Sequence, residues 1–196
     1  MDNRTEDPQT QEKQTRKRPV GTVRFVASVV ILGVVVGIWM LFIQGRLRAE
    51  EVLGPSMEPT LATGDRLIVS DYMDESPGRG DIVSLVSPGD GGGLVKRVVA
   101  VPGDFVIVAD EYVFLNRIPS AKELQALGAW PAKYRLSRFD LEEGEFFVVG
   151  DNASNSYDSR FFGPVGEDKI TGKVLLRYSP LDRAGKLDHL VARGVR

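Results

Sequence analysis

Ser56 and Lys96 are the pair whose residue types and settings could do covalent chemistry. Ser56 stands in Gly54-Pro55-Ser56-Met57-Glu58-Pro59-Thr60, and Lys96 in the apolar run Leu94-Val95-Lys96-Arg97-Val98-Val99. A serine hydroxyl is a weak nucleophile and needs a base to take its proton. The usual base is histidine, but the sole histidine, His189, follows the apparent end of the fold at Tyr178-Ser179-Pro180. It reads as an exposed or helix-associated side chain, which argues against a Ser-His-Asp triad. Lysine can replace histidine when it is neutral, because desolvation lowers its reference pKa of about 10.4 by several units. In a strand, Lys96 and Arg97 point to opposite faces, so one enters the core while the other stays out or pairs with an acid. Taken alone, a strand lysine is usually a solvated edge residue and a serine before Met-Glu-Pro-Thr a turn or N-cap residue.

A third segment bears on both. Gly150-Asp151-Asn152-Ala153-Ser154-Asn155-Ser156-Tyr157-Asp158-Ser159-Arg160 follows the apolar stretch Phe146 to Val149. By composition it is a turn-rich loop. It also holds groups suited to a neutral amine and its charged neighbours. Ser156 is placed to accept from Lys96, and Asp151 and Asp158 to pair with Arg97 and Arg160.

The elements that must position these residues read mostly as strands. Arg66 to Ser70, Asp81 to Val86, Leu94 to Val101, Phe105 to Val108, Tyr112 to Leu115, Glu145 to Val149 and Lys173 to Tyr178 are short and rich in Val, Ile and aromatics. Ser87 to Gly93 reads as a loose hairpin connection, and Pro102-Gly103-Asp104 as a type II turn, with glycine supplying the positive φ. Ala121 to Leu127 reads as a turn or two of helix within a more polar excursion from Arg117 to Asp140. The spacing predicts an antiparallel, partly closed β-fold.

Ahead of all this, Phe25 to Ile43 carries no charge. As a helix it spans roughly 28 Å, enough to cross a bilayer. A cleaved leader fits less well, because the polar region before the run is long and no clean small-x-small site follows it. Arg4, Lys13, Arg16, Lys17, Arg18 and Arg24 precede the run, whereas Arg46 and Arg48 follow it beside Glu50 and Glu51. The positive-inside rule then keeps the N-terminus in the cytoplasm. The expected organisation is a disordered basic cytosolic tail over residues 1–24, a transmembrane helix over 25–44 and an extracytoplasmic catalytic β-domain over 45–196. Ser56 then lies within about 45 Å of the membrane run by chain reach.

The net charge of −2 argues against nucleic acid as a partner, and the absence of cysteine removes disulfides and thiolate metal sites. No zinc ligand set is visible. Phe161, Phe162 and Trp130 are read as core aromatics rather than lipid contacts.

Taken in order, these blocks resemble the type I signal peptidases, membrane-anchored serine/lysine proteases that remove signal peptides from exported preproteins. Ser56-Met57-Glu58-Pro59-Thr60-Leu61 is similar to the nucleophile block, and Lys96 through Pro102-Gly103-Asp104 to the general-base block. Gly64-Asp65-Arg66-Leu67-Ile68-Val69 is similar to the strand block between them, and Gly150 through Arg160 to the last block. The likeness runs from Phe25 to about Tyr178. It implies a mostly β catalytic domain behind one N-terminal transmembrane α-helix, with Ser56 as nucleophile, neutral Lys96 as general base and Ser156 orienting the amine. It also implies supporting roles for Asp151, Asp158, Arg160 and Arg97, an oxyanion contact from the Ser56 N–H, and no cofactor and no metal. Val52, Leu53, Met57, Leu61 and Val95 are the implied lining of shallow pockets for small side chains at −1 and −3 of the signal peptide. The implied partners are preprotein signal peptides and the lipid bilayer, with the secretion machinery as a further candidate. Gly54 stands where some members carry a serine that donates to the oxyanion, Ala100 replaces a frequent glycine and Ala153 a frequent basic residue. None of these departures removes a catalytic group. The rival readings are a related Ser/Lys peptidase of the conjugation or organelle inner-membrane type, and a catalytically inactive membrane-anchored scaffold that binds preproteins. A self-cleaving repressor of the LexA type is set aside, because an apolar helix stands where its DNA-binding domain would be.

Overall fold

The computed structural model describes residues 20–72, 75–128 and 136–187. His189, Trp130 and most of the basic tail lie outside the described residues. The chain divides into two compact units, residues 1–43 and 44–196.

The first unit contains helix α1 (Val20–Ile43). It is apolar on every face, with Arg24 its lone charge. An all-round apolar surface suits a membrane span and not an amphipathic surface helix.

The second unit is mostly β. Its strands are β1 (Leu47–Glu51), β2 (Arg66–Ser70), β3 (Ile82–Val86), β4 (Gly93–Ala100), β5 (Phe105–Ala109), β6 (Tyr112–Leu115), β7 (Leu136–Asp140), β8 (Glu145–Val149), β9 (Val165–Gly166) and β10 (Ile170–Ser179). Among the described residues two short α-helices, α2 (Ala121–Ala126) and α3 (Ser159–Phe162), and three 3-10 turns accompany the strands. Seven strands form one antiparallel sheet in the order β1-β2-β10-β3-β4-β8-β9, and β6-β5-β7 form a second.

The larger sheet curls. Ser84 on β3 donates to Glu50 Oε2 on β1 at 2.7 Å, although β2 and β10 lie between them in strand order. In a flat sheet three strand spacings would hold them about 14 Å apart. Irregular register along β10 bends the sheet at three places. Gly172 permits the tightest approach there, since a Cβ would collide with the Ser70 carbonyl of β2.

Alternating apolar residues fill the inside of the curl with Val52, Met57, Leu61, Leu67, Val69 and Ile82. A separate cluster joins the two sheets through Val99, Val106, Val108, Phe147 and Val149. The turn between β4 and β5 ties the sheets together. Asp104 accepts from the Val101 N–H at 2.9 Å, Arg79 Nε at 2.9 Å and Asn116 Nδ2 at 2.9 Å.

Seven strands expected from sequence pattern are present with ends shifted by a few residues at most. Strands β1, β7 and β9 were not expected. Leu47–Glu51 and Leu136–Asp140 are mostly polar, and β9 is two residues long, so none shows the apolar alternation that marks a strand. Pairing with β2, β5 and β8 makes them strands. Helix α2 is capped at its N-terminus by Ser120, whose hydroxyl accepts from the Glu123 N–H.

Candidate active site

Ser56 sits on the loop between β1 and β2. Met57 and Leu61, four apart in a turn closed by the Leu61 N–H to Met57 carbonyl bond, are fully buried and pin that loop to the core. The plug of two apolar side chains leaves the preceding serine half-buried at the rim. The Ser56 N–H donates to no group among the described residues.

Lys96 reaches that serine from β4. Its Nζ stands 2.8 Å from Ser56 Oγ, and the residue is 2% exposed. Burial pushes the Lys96 amine down from its ordinary range; Asp158 pulls it back up and Arg160 pushes it down again. Asp158 and Arg160 are paired with each other at 2.8 Å, both almost wholly buried, so their opposing effects on the amine partly cancel. Desolvation is left as the governing influence, which is the condition for a neutral lysine.

Arg97 turns to the opposite face of β4. It forms a two-pronged pair with Asp151, Nε to Oδ1 at 2.8 Å and Nη2 to Oδ2 at 2.6 Å, and donates to the Gly80 carbonyl at 2.9 Å. Adjacent buried cations on one strand thus have different fates: one is satisfied as an ion, the other faces a hydroxyl.

The loop after β8 closes around the pair. Asp158 Oδ2 accepts from the Gly150 N–H at 2.9 Å and from Ser156 Oγ at 2.7 Å, and its Oδ1 accepts from Arg160 Nε at 2.8 Å. The Ser156 hydroxyl therefore donates its hydrogen bond to Asp158 and, contrary to expectation, does not accept from Lys96; the hydrogen bond of Lys96 goes to Ser56. Gly150 lies where a Cβ would strike both the Ser156 side chain and the Ser56 carbonyl, so only glycine lets these groups converge.

Asn152 makes two contacts that composition alone did not single out. Its backbone N–H donates to the Ser56 carbonyl at 3.0 Å, and its Nδ2 donates to the Pro55 carbonyl at 3.1 Å. The residue clamps the backbone on which the serine rides. Its place inside Gly150-Asp151-Asn152 was the available signal, but a hydrogen bond across 97 positions has no sequence trace.

Beside the pair lies a cleft of about 240 Å³. Glu50, Glu51, Val52 and Leu53 form one wall, Ser56 and Met57 one end, and residues 93–96 of β4 the other wall. Both walls carry unpaired strand edge. β1 is the outermost strand of its sheet, and β8 pairs with β4 only from Arg97 onward. Of the five pocket residues expected from sequence, Val52, Leu53, Met57 and Val95 line this cleft, whereas Leu61 is fully buried beneath it. Glu50, Glu51 and Leu94 line it as well. Phe161 is not the core aromatic it was expected to be: it is 67% exposed and stacks on Tyr157, while Phe162 packs against the core.

The family model described as "Signal peptidase, peptidase S26" matches residues 22–179. A probable signal peptidase I-2 of Synechocystis is 34% identical over 149 residues, covering 71% of this chain and 66% of that protein. Signal peptidase I of Leptolyngbya laminosa is 34% identical over 150 residues, 71% of this chain and 72% of that one. Signal peptidase I T of Bacillus subtilis is 30% identical over 190 residues, 91% of this chain and 96% of its own length.

Proposed function

The chain belongs to the signal peptidase family, peptidase S26, and on that premise we propose that it hydrolyses signal peptides from preproteins with Ser56 as nucleophile and Lys96 as general base. The observation that carries the assignment is Lys96 Nζ, almost wholly buried, 2.8 Å from Ser56 Oγ.

An extended peptide lies in the cleft and adds backbone hydrogen bonds to the open edges of β1 and β4. Ser56 Oγ attacks the −1 carbonyl carbon as neutral Lys96 takes its proton. The oxyanion that forms draws on the unpartnered Ser56 N–H. Collapse of this intermediate breaks the C–N bond, and the Lys96 ammonium protonates the departing amine. A water then attacks the Ser56 ester, giving its proton to Lys96. Breakdown releases the signal peptide's carboxylate and returns the proton to Ser56. Ser156 acts through Asp158 to shape the amine's surroundings, and Asp151 with Arg97 and Asp158 with Arg160 hold the loops in place. Val52, Leu53, Met57 and Val95 bound the cleft, and small side chains are preferred because larger ones overpack it.

Helix α1 anchors the chain as a single span, with the basic residues before it on the cytoplasmic side and residues 45–196 outside. The test is cleavage of an Ala-x-Ala preprotein by the full chain in detergent, with product N-termini read by mass spectrometry. Cleavage after the −1 residue, lost in Ser56→Ala and Lys96→Ala, is the expected result. Folded wild type that cuts no preprotein would favour a binding scaffold instead. Cleavage that survives Lys96→Ala would return attention to His189.

A further inference from the structure

The cleft beside Ser56 is not apolar throughout. Val52 and Glu50 stand two apart along the chain, so they present the same face. That face looks into the curl: Val52 packs there with Ile82 and Val95, and Glu50 Oε2 accepts from Ser84 Oγ at 2.7 Å. Ser84 is directly opposite Val95 in the β3–β4 register, which puts its hydroxyl on the same side as these groups. The inner wall is therefore apolar near Ser56 and ends in a carboxylate one strand repeat away.

That carboxylate has acceptor capacity to spare. An ionised carboxylate offers about four lone-pair sites. Ser84 occupies one on Oε2, and Arg48 Nε stands 3.5 Å from Oε1. The Arg48 guanidinium is engaged elsewhere, donating from Nη1 to Asp71 at 2.7 Å and from Nη2 to the Thr171 carbonyl at 2.6 Å. The Glu50 side chain is 27% exposed and lines the cleft.

We propose that Glu50, buttressed by Ser84, is a specificity determinant that selects a small hydroxyl-bearing side chain at the −3 position of the substrate. This rests on the Ser56/Lys96 reading above, which fixes the scissile bond at Ser56. In an extended peptide the −1 and −3 side chains point the same way, separated by one two-residue repeat of about 6.6 Å. The same repeat separates Val52 from Glu50. With −1 beside Ser56 and Val52, −3 meets Glu50. A purely apolar pocket barely distinguishes a methyl from a hydroxyl of equal size, whereas an acceptor left unpaired by the apolar analogue rejects it. Acidic side chains at −3 are disfavoured by charge repulsion.

Threonine and valine are nearly the same shape, so the test is a pair of peptides identical except for Thr or Val at −3, with an Ala control, cleaved by the full chain in detergent. The expected kcat/KM ratio for Thr over Val is about tenfold, with Asp the poorest. Glu50→Leu should bring the ratio to one or below, while Ser84→Ala, which leaves the carboxylate in place, should keep the preference for Thr. Because the first readout uses unaltered protein, it does not depend on any variant folding. A wild-type ratio near or below one overturns the proposal while leaving the peptidase reading intact, as does a ratio unchanged in Glu50→Leu. Failure to cleave even the Ala control overturns both.

Discussion

At the scale of single residues, the chemistry depends on which of two neighbouring cations is allowed to stay charged. Arg97 has a carboxylate clamped to it, and a guanidinium does not give up its proton. Lys96 has a hydroxyl before it and little water around it, so burial lowers its pKa. As the proposed base, Lys96 is competent only when neutral. Cleavage should therefore rise with pH and level off above the lysine's pKa, with an apparent midpoint below about 10.4. A kcat profile flat from pH 6 to 10, with chemistry rate-limiting, contradicts the dyad. Asn152 offers a second prediction. Its side-chain amide holds the Pro55 carbonyl and its N–H the Ser56 carbonyl. Asn152→Ala removes the first bond, loosens the serine loop and should lower kcat roughly 10- to 100-fold with little change in KM. An equal loss in stability and activity would instead mark a merely structural residue.

At the scale of elements, the site depends on turns that join strands far apart in sequence. The Asp104 turn fastens the end of β4, which carries Lys96, to the smaller sheet. Burial works to raise the Asp104 pKa, but hydrogen bonds from Asn116, the Val101 N–H and Arg79 outweigh it and hold the carboxyl below its usual range. A carboxylate with a depressed folded-state pKa contributes stability that is present above the unfolded value of about 3.9 and is lost as pH falls through the folded value. Asp104→Asn should cost about 2 kcal/mol at pH 7. Its urea midpoint should also fall less steeply than that of the wild type as pH drops below about 4. Parallel pH profiles for the two proteins would show that Asp104 does not carry this dependence.

At the scale of the whole molecule, an all-round apolar helix precedes a β-rich unit that stands as a separate compact body. The full chain should stay with membranes through alkaline extraction. Protease added outside spheroplasts should digest residues 45–196 and spare the N-terminal tail. Release at high pH would mean that α1 does not span, and the reverse protection pattern would mean that the orientation is inverted.

Much of this molecule is legible in its sequence. The apolar run, the serine and lysine blocks and the acidic loop are local patterns, and Val- and Ile-rich strands with turn residues between them declare themselves over a few positions. The pairing of Arg97 with Asp151 is legible too, because a buried guanidinium needs a buried acid and the loop after β8 offers one. Most other long-range contacts are not. The curl that brings Glu50 to Ser84, the polar edge strand β1, the exposure of Phe161, the Asn152 clamp and the partnership of Ser156 with Asp158 all depend on where the chain returns after it has turned. Residue types and spacing determined which groups could react and which segments would be strands, because those follow from intrinsic chemistry and local periodicity. Tertiary structure alone decided how closely Ser56 meets the amine and how dry that meeting is, because distance and desolvation belong to the packed assembly of strands and to no single one of them.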